Sequence, residues 1–218
     1  GAVYAVCDSV AKVAAAGGDI DKIHLTFQEF FRRMDDNKPE RWSQPFAALL
    51  GAYEAQLELG LASIGGKDSM SGTFNEIDVP PTLVSFAVDV ASVKDIITPE
   101  LKAAGNRLVL LTVKRDGDLL PDYEDLKAQY RALTEDIKAK RVLSAYVLER
   151  HGAAEAVTKM ALGNGLGVKL ADSVSEETLF APGWCNLLLE VPAEALGKLS
   201  CRTELFGEVT ATPVLSYR

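Results

Sequence analysis

Strand-like segments alternate with helix-like segments along most of this chain, and that alternation constrains the fold more than any other feature. Short apolar runs predict strands at 61–64, 82–90, 107–113, 142–148, 184–191 and 204–210. Helices are predicted at 3–16, 43–59, 123–140, 152–162 and 193–199. Such alternation is typical of α/β and α+β proteins in which helices cover a sheet face. We therefore expect an α+β fold with α/β-like alternation.

Two helices carry clear end signals. The first has valines about one turn apart from Val3 to Val13, and Gly17-Gly18 is a typical helix end. The second is predicted to begin at Ser43, a common N-cap residue, and to stop at Gly60. Its large apolar side chains share one helical face: Phe46, Leu49, Leu50, Tyr53 and Leu57.

The composition of the chain excludes several classes of protein function. The 218 residues carry a net charge of −8, which argues against a general nucleic-acid binder. The sequence contains no run of 18 apolar residues, so no membrane span is predicted, and no signal peptide is visible. Three scattered cysteines are too few for a disulfide framework, so we expect a reducing, cytoplasmic setting.

The sequence predicts a domain boundary at Gly105-Asn106, which divides the chain into residues 1–105 and 106–218. The first helix starts almost at residue 1, with an apolar first turn and without an N-terminal cap. We expect, on that ground, that the chain is part of something larger.

The segment 64–71 carries the strongest chemical signal. Gly65 and Gly66 allow backbone N–H groups to approach a phosphate, and Lys67 supplies a positive charge. Asp68 could hold Mg²⁺, and Ser69 could donate a hydrogen bond. The spacing is not that of a Walker A loop. The same residues also suit an ordinary surface turn, so both interpretations stay open.

The stretch Gly65–Ser71, followed by Asp78–Ser85, resembles phosphoribosylformylglycinamidine synthase. That family catalyses the fourth step of purine biosynthesis, and its synthetase region belongs to the aminoimidazole-ribonucleotide-synthetase-like superfamily. Residues 26–30 and 45–51 are also similar to the long bacterial form. The resemblance covers most of residues 3–170 and fades beyond them.

The resemblance implies a place within a larger ligase. Residues 1–105 would be a truncated N-type subdomain and 106–218 the C-type subdomain of the second synthetase half. The implied partners are the first half, the glutaminase domain and small-molecule substrates, with ATP and Mg²⁺ as cofactors. Such a fragment is expected to be inactive alone and to self-dimerise through residues 61–90, since exposed apolar strands tend to pair.

By resemblance, the phosphate- and nucleotide-binding residues are Gly65, Gly66, Lys67, Asp68 and Ser69. The implied metal ligands are Asp68 and Asp8. No cysteine lies on the glycine-flanked turn that a glutaminase nucleophile needs, so Cys7, Cys185 and Cys201 are interpreted as buried or idle thiols.

Two departures from the family pattern suggest a degenerate site. On the first helix the family has an acid followed four residues later by asparagine, whereas this chain has Asp8 and Lys12. An ammonium cannot ligate a metal, although a solvated helix pair is an equally good interpretation. The family's acidic, glycine-rich stretch is replaced here by residues 147–152, which include His151. A second hypothesis therefore treats the chain as a non-catalytic structural half that supports the active half.

Overall fold

The structure, a computed structural model, describes residues 1–35 and 37–217. The described chain forms two compact units. The first contains residues 1–10 and 21–89, and the second contains residues 11–20 and the chain from residue 90 onward. The predicted subdomain boundary at residue 105 falls inside the second unit and stays a prediction. No helix in the described ranges is long and apolar enough to cross a membrane.

The first unit contains a three-stranded sheet with strand order β2-β1-β5. Strand β1 (His24–Phe30) is central, parallel to β2 (Ala62–Ser69) and antiparallel to β5 (Thr82–Val88). Helix α2 (Ser43–Leu59) connects β1 to β2, as a parallel pair requires. A short hairpin of β3 (Thr73–Phe74) and β4 (Ile77–Asp78) precedes β5. Helix α1 (Ala2–Ala15) opens the chain and ends before Gly17, whose φ of 98° suits glycine.

The second unit contains a six-stranded sheet with order β11-β8-β10-β6-β9-β7. Its neighbouring strands are antiparallel except for β8 and β11. Its strands are β6 (Arg107–Leu111), β7 (Ser144–Val147), β8 (Gly167–Leu170), β9 (Leu187–Val191), β10 (Thr203–Thr210) and β11 (Leu215–Ser216). Its helices are α3 (Tyr123–Lys138), α4 (Gly152–Leu162) and α5 (Glu176–Phe180). The mixture of helix and sheet confirms the predicted α+β class.

The core of the second unit forms where α4 packs on the sheet. Met160 of α4 is fully buried in one cluster with Leu108, Leu188 and Phe206. Strand β9 is buried along its whole length, and it includes a carboxylate, Glu190, that is 0% exposed.

Backbone and side-chain donors surround the Glu190 carboxylate. The amide N–H groups of Lys102 and Ala103 donate to it at 2.8–3.1 Å. Asn106 Nδ2 donates at 2.7 Å and Ser144 Oγ at 3.0 Å. A buried charge needs such compensation, so this network ties residues 102–106 to two strands of the sheet.

Helix α2 differs from its sequence prediction in two ways. Ser43 is its first helical residue rather than its N-cap, because a 3₁₀ turn at Pro39–Trp42 leads directly into it. Ser43 Oγ donates to the Glu40 carbonyl at 2.7 Å. The buried residues of α2 are Pro45, Ala52, Ala55 and Leu59. The face with the large apolar side chains lies at the surface instead. The stop at Gly60 is confirmed, with φ of 70°.

Other elements differ in smaller ways. Strand β5 was predicted to be buried, yet its side chains are half-buried or exposed. The predicted helix at 193–199 is a 3₁₀ turn over Ala193–Ala195. Strands β1 and β8 and helix α5 were not predicted, whereas α4 matches its predicted bounds.

Candidate functional site

The segment predicted as a phosphate-binding loop is part of strand β2. Gly66, Lys67, Asp68 and Ser69 pair in parallel register with Phe27–Phe30 of β1. The predicted end of the strand at residue 64, and a surface turn at these residues, are therefore wrong. The binding roles of these residues remain predictions.

The two glycines have a packing role in this strand. The register between β1 and β2 shifts between Leu25 and Phe27, where β2 contains an extra residue. Gly65 has φ of 149°, and a Cβ on Gly66 would lie 2.7 Å from the Phe27 carbonyl oxygen. The glycines thus permit a bulge and a close strand approach, which needs no phosphate to explain it.

Successive residues of β2 point to opposite faces of the sheet. Asp68 lines a cavity of about 520 Å³ between the sheet and α2. Lys67 pairs with Gln28, lies on the opposite face and is exposed. Its Nζ donates to the Asp68 carbonyl at 3.4 Å. The structure therefore does not bring the Lys67 and Asp68 side chains to one point, and a phosphate held by Lys67 would lie away from the Asp68 carboxylate.

Asp68 faces a second carboxylate that sequence reasoning missed. Glu29 of β1 is its register partner, and the two side chains are hydrogen-bonded. Desolvation by burial, followed by the Asp68 charge and this hydrogen bond, raises the pKa of Glu29 above its usual range. The cavity wall around the pair is largely apolar and includes Phe27, Trp42 and Phe46. A raised pKa favours the protonated form of a carboxyl, and that form can donate a hydrogen bond as well as accept one.

We expect Asp68→Asn to lower the pKa of Glu29 toward its ordinary value, because the substitution removes the neighbouring negative charge. Titration of the Glu29 side-chain carbon signal by NMR measures the change. Part of the elevation should persist, since burial is its largest cause. The matched control is Glu76→Gln in the exposed β3–β4 turn, which should leave the Glu29 titration unchanged. An unaltered Glu29 pKa in Asp68→Asn would contradict the coupling.

The residues predicted to form a degenerate site lie on α1 and before α4. Asp8 is half-buried in the first unit. Lys12 is in the second unit, where its Nζ lies 2.6 Å from Glu149 Oε1. This pair borders a cavity of about 210 Å³ with an apolar wall that includes Ile97 and Tyr146. His151 is exposed at the N-cap position of α4, and its side chain makes no capping hydrogen bond.

The Lys12–Glu149 ion pair gives the replaced asparagine position a different role. Sequence analysis placed Lys12 and the stretch that contains Glu149 among the departures from the family, but it did not connect them. An ammonium and a carboxylate at 2.6 Å neutralise each other without a metal. Within residues 1–35 and 37–217, no group of three or more His, Cys, Asp or Glu residues could hold a metal ion. Asp8 and Asp68 as metal ligands remain predictions.

The three cysteines are buried thiols, as expected from the sequence. Burial, with a smaller contribution from Asp136, raises the pKa of the Cys201 thiol to about 12. A thiol with that pKa carries almost no thiolate at neutral pH, so Cys201 is not set up as a nucleophile.

The fold is that of the aminoimidazole-ribonucleotide-synthetase-like class. PurL of Thermotoga maritima, solved in complex with AMPPCP, superposes with a TM-score of 0.76 at 16% identity over all of this chain and 38% of that chain. HypE, a hydrogenase maturation protein of Escherichia coli, superposes with a TM-score of 0.73 at 17% identity over 99% of this chain and 76% of that one.

The chain is also similar in sequence to a curated plant protein. The chain is 27% identical over 213 residues to the probable phosphoribosylformylglycinamidine synthase, chloroplastic/mitochondrial, of Arabidopsis thaliana. This alignment covers 81% of the chain and 15% of the relative. The predicted resemblance is thereby confirmed, and the chain spans about one seventh of that relative's length. No protein-family model matches the chain.

Proposed function

We propose that this chain is part of the synthetase region of a phosphoribosylformylglycinamidine synthase. The observation that carries the proposal is the Gly65–Ser71 signature, followed by Asp78–Ser85, in a chain similar in sequence to that enzyme. The fold similarity to PurL solved with AMPPCP and with FGAR supports it. The first synthetase half and a glutaminase are the proposed partners, and cytoplasmic location is part of the proposal.

The proposed reaction joins nitrogen to carbon at the expense of ATP. ATP transfers its γ-phosphoryl group to the amide oxygen of formylglycinamide ribonucleotide and leaves as ADP. Ammonia released from glutamine attacks the carbon that carries this oxygen. It loses a proton and displaces inorganic phosphate to give the amidine. An exposed ammonium at Lys67, on the open face of the sheet, suits the charge of a transferred phosphoryl group. Any Mg²⁺ would arrive with the nucleotide as part of the substrate.

A second candidate is a structural half whose own nucleotide site no longer functions. The ion pair of Lys12 with Glu149 favours it, because the two groups already satisfy each other's charge. In that case the chain would support the active half without binding nucleotide itself.

Calorimetric titration of ATP and ADP into the chain, with Mg²⁺ and then with EDTA, distinguishes the two candidates. If the first candidate is correct, we expect Mg²⁺-dependent nucleotide binding. Lys67→Met should weaken this binding about tenfold or more, since one charge-assisted contact to phosphate is lost. Lys169→Met is the matched control, because Lys169 is also an exposed strand lysine.

The outcomes have separate meanings. Binding that Lys67→Met leaves unchanged contradicts the role of Lys67. A folded chain that binds neither nucleotide contradicts a nucleotide site in this chain and supports the structural half.

A further inference from the structure

Helix α2 presents a stripe of large apolar side chains to solvent. Together with the residue just before the helix, six such side chains are each between 50% and 61% exposed: Trp42, Phe46, Leu49, Leu50, Tyr53 and Leu57. The buried side of the same helix carries Pro45, Ala52, Ala55 and Leu59. At 100° per residue the exposed stripe is about 100° wide, which is the width of a face that normally packs against another element.

The spacing of the exposed stripe is symmetric. Its successive members are separated by 4, 3, 1, 3 and 4 positions, so the midpoint lies between Leu49 and Leu50. If a second copy of α2 lies antiparallel on the first, this midpoint coincides with a two-fold axis. Trp42 then lies opposite Leu57, Phe46 opposite Tyr53, and Leu49 opposite Leu50. Such self-complementarity is the property that an isologous interface requires.

Charges near α2 follow the same symmetry. Arg41 and Glu58 are equally far from the midpoint, so an antiparallel pairing brings each arginine beside the partner's glutamate. Arg41 Nη1 donates to the Arg33 carbonyl at 2.8 Å, which fixes its guanidinium near the start of the helix. The charged residues within α2 are Glu54 and Glu58, both near its C-terminal end. A parallel pairing would bring these acids together, whereas the antiparallel pairing separates them and also aligns the helix dipoles favourably.

We propose that α2 is the contact surface of a two-fold homodimer of this chain. The occupant of the exposed stripe is the same stripe of a second copy, held in antiparallel register by the Arg41–Glu58 pairs. The contacts are made by α2 and not by residues 61–90, for which self-pairing is predicted from the sequence. The stripe adjoins that segment, because Trp42, Phe46 and Leu49 also line the cavity that contains Asp68. The proposal does not depend on the proposed ligase function, since it rests on exposure, spacing and charge alone.

Sedimentation equilibrium of the 218-residue chain tests the proposal. We expect a dimer at micromolar concentration and a dissociation constant that Leu50→Asp raises at least about tenfold, because two carboxylates would then lie beside the axis. Phe86→Asp is the matched control: Phe86 is 47% exposed on β5, outside α2, and its replacement should leave the dimer intact. Far-UV circular dichroism checks that both variants stay folded.

A charge exchange tests the register. Arg41→Glu and Glu58→Arg should each weaken the dimer, and the double variant should restore it, because the pairs are rebuilt with reversed signs. A monomeric wild-type chain at about 100 μM, well above the micromolar range expected, would overturn the proposal. So would a dimer that Phe86→Asp dissociates and Leu50→Asp does not, or a double variant as weak as the sum of its singles.

Discussion

Replacing Glu190 by alanine is expected to lower the free energy of unfolding by about 3–5 kcal/mol, from several unsatisfied donors and a cavity together. Its carboxylate is 0% exposed. It accepts hydrogen bonds from two backbone amides and from the side chains of Asn106 and Ser144. Alanine would leave these donors buried without an acceptor and would open a cavity in the centre of the sheet. Urea denaturation followed by circular dichroism measures the loss.

The matched control is Glu208→Ala on β10. Glu208 is likewise a strand glutamate, but it forms an ion pair with Arg107 at 2.7 Å and its side chain is 50% exposed. Surface ion pairs of this kind contribute about 0–1 kcal/mol. Equal losses in the two variants would show that the buried network does not contribute more than a surface ion pair.

Gly152→Ala is expected to destabilise the chain by more than about 3 kcal/mol, from backbone strain and steric overlap together. Gly152 has φ of 66°, and a Cβ there would lie 2.5 Å from the Ala181 carbonyl oxygen and 2.6 Å from that of Leu179. Both oxygens belong to the backbone around the end of α5, so they cannot rotate away as a side chain would. Thermal unfolding gives the change.

Gly165→Ala distinguishes the cost of backbone strain from the cost of steric overlap. Gly165 has nearly the same φ, 64°, but a Cβ there would meet nothing within 4 Å. We expect a loss of about 1 kcal/mol, the usual cost of a left-handed conformation for a residue with a Cβ. If both variants lose the same amount, the overlap at Gly152 does not limit stability.

The sequence predicted the elements whose pattern agrees with their surroundings. Helix α4 was predicted with its correct bounds because its apolar spacing and its glycine ends agree with the structure. Strand β1 was missed because its alternation is interrupted: Leu25 and Phe27 share a sheet face with Glu29, a carboxylate where another apolar residue is expected. The break in the pattern coincides with the carboxylate pair, and such conflicts concentrate at functional positions.

Other features of the candidate site could not be read from local sequence. The pairing of Glu29 with Asp68 depends on a parallel register that contains a bulge, which no short motif encodes. The Lys12–Glu149 pair depends on a long-range contact in the same way. For α2, periodicity identified the large apolar face, but it could not tell that alanines would pack inward and leave that face in solvent.

The central position of β1 affects how the chain can fold during synthesis. Both of its neighbours follow it along the chain, and its last partner residue in β5 is Val88. At about 5–20 residues per second, roughly 3–12 s pass between completion of β1 and synthesis of Val88. Throughout that interval the edge of β1 that pairs with β5 has no partner, so a slow ribosome or a pause before Val88 should increase association of the strand with chaperones and with other nascent chains.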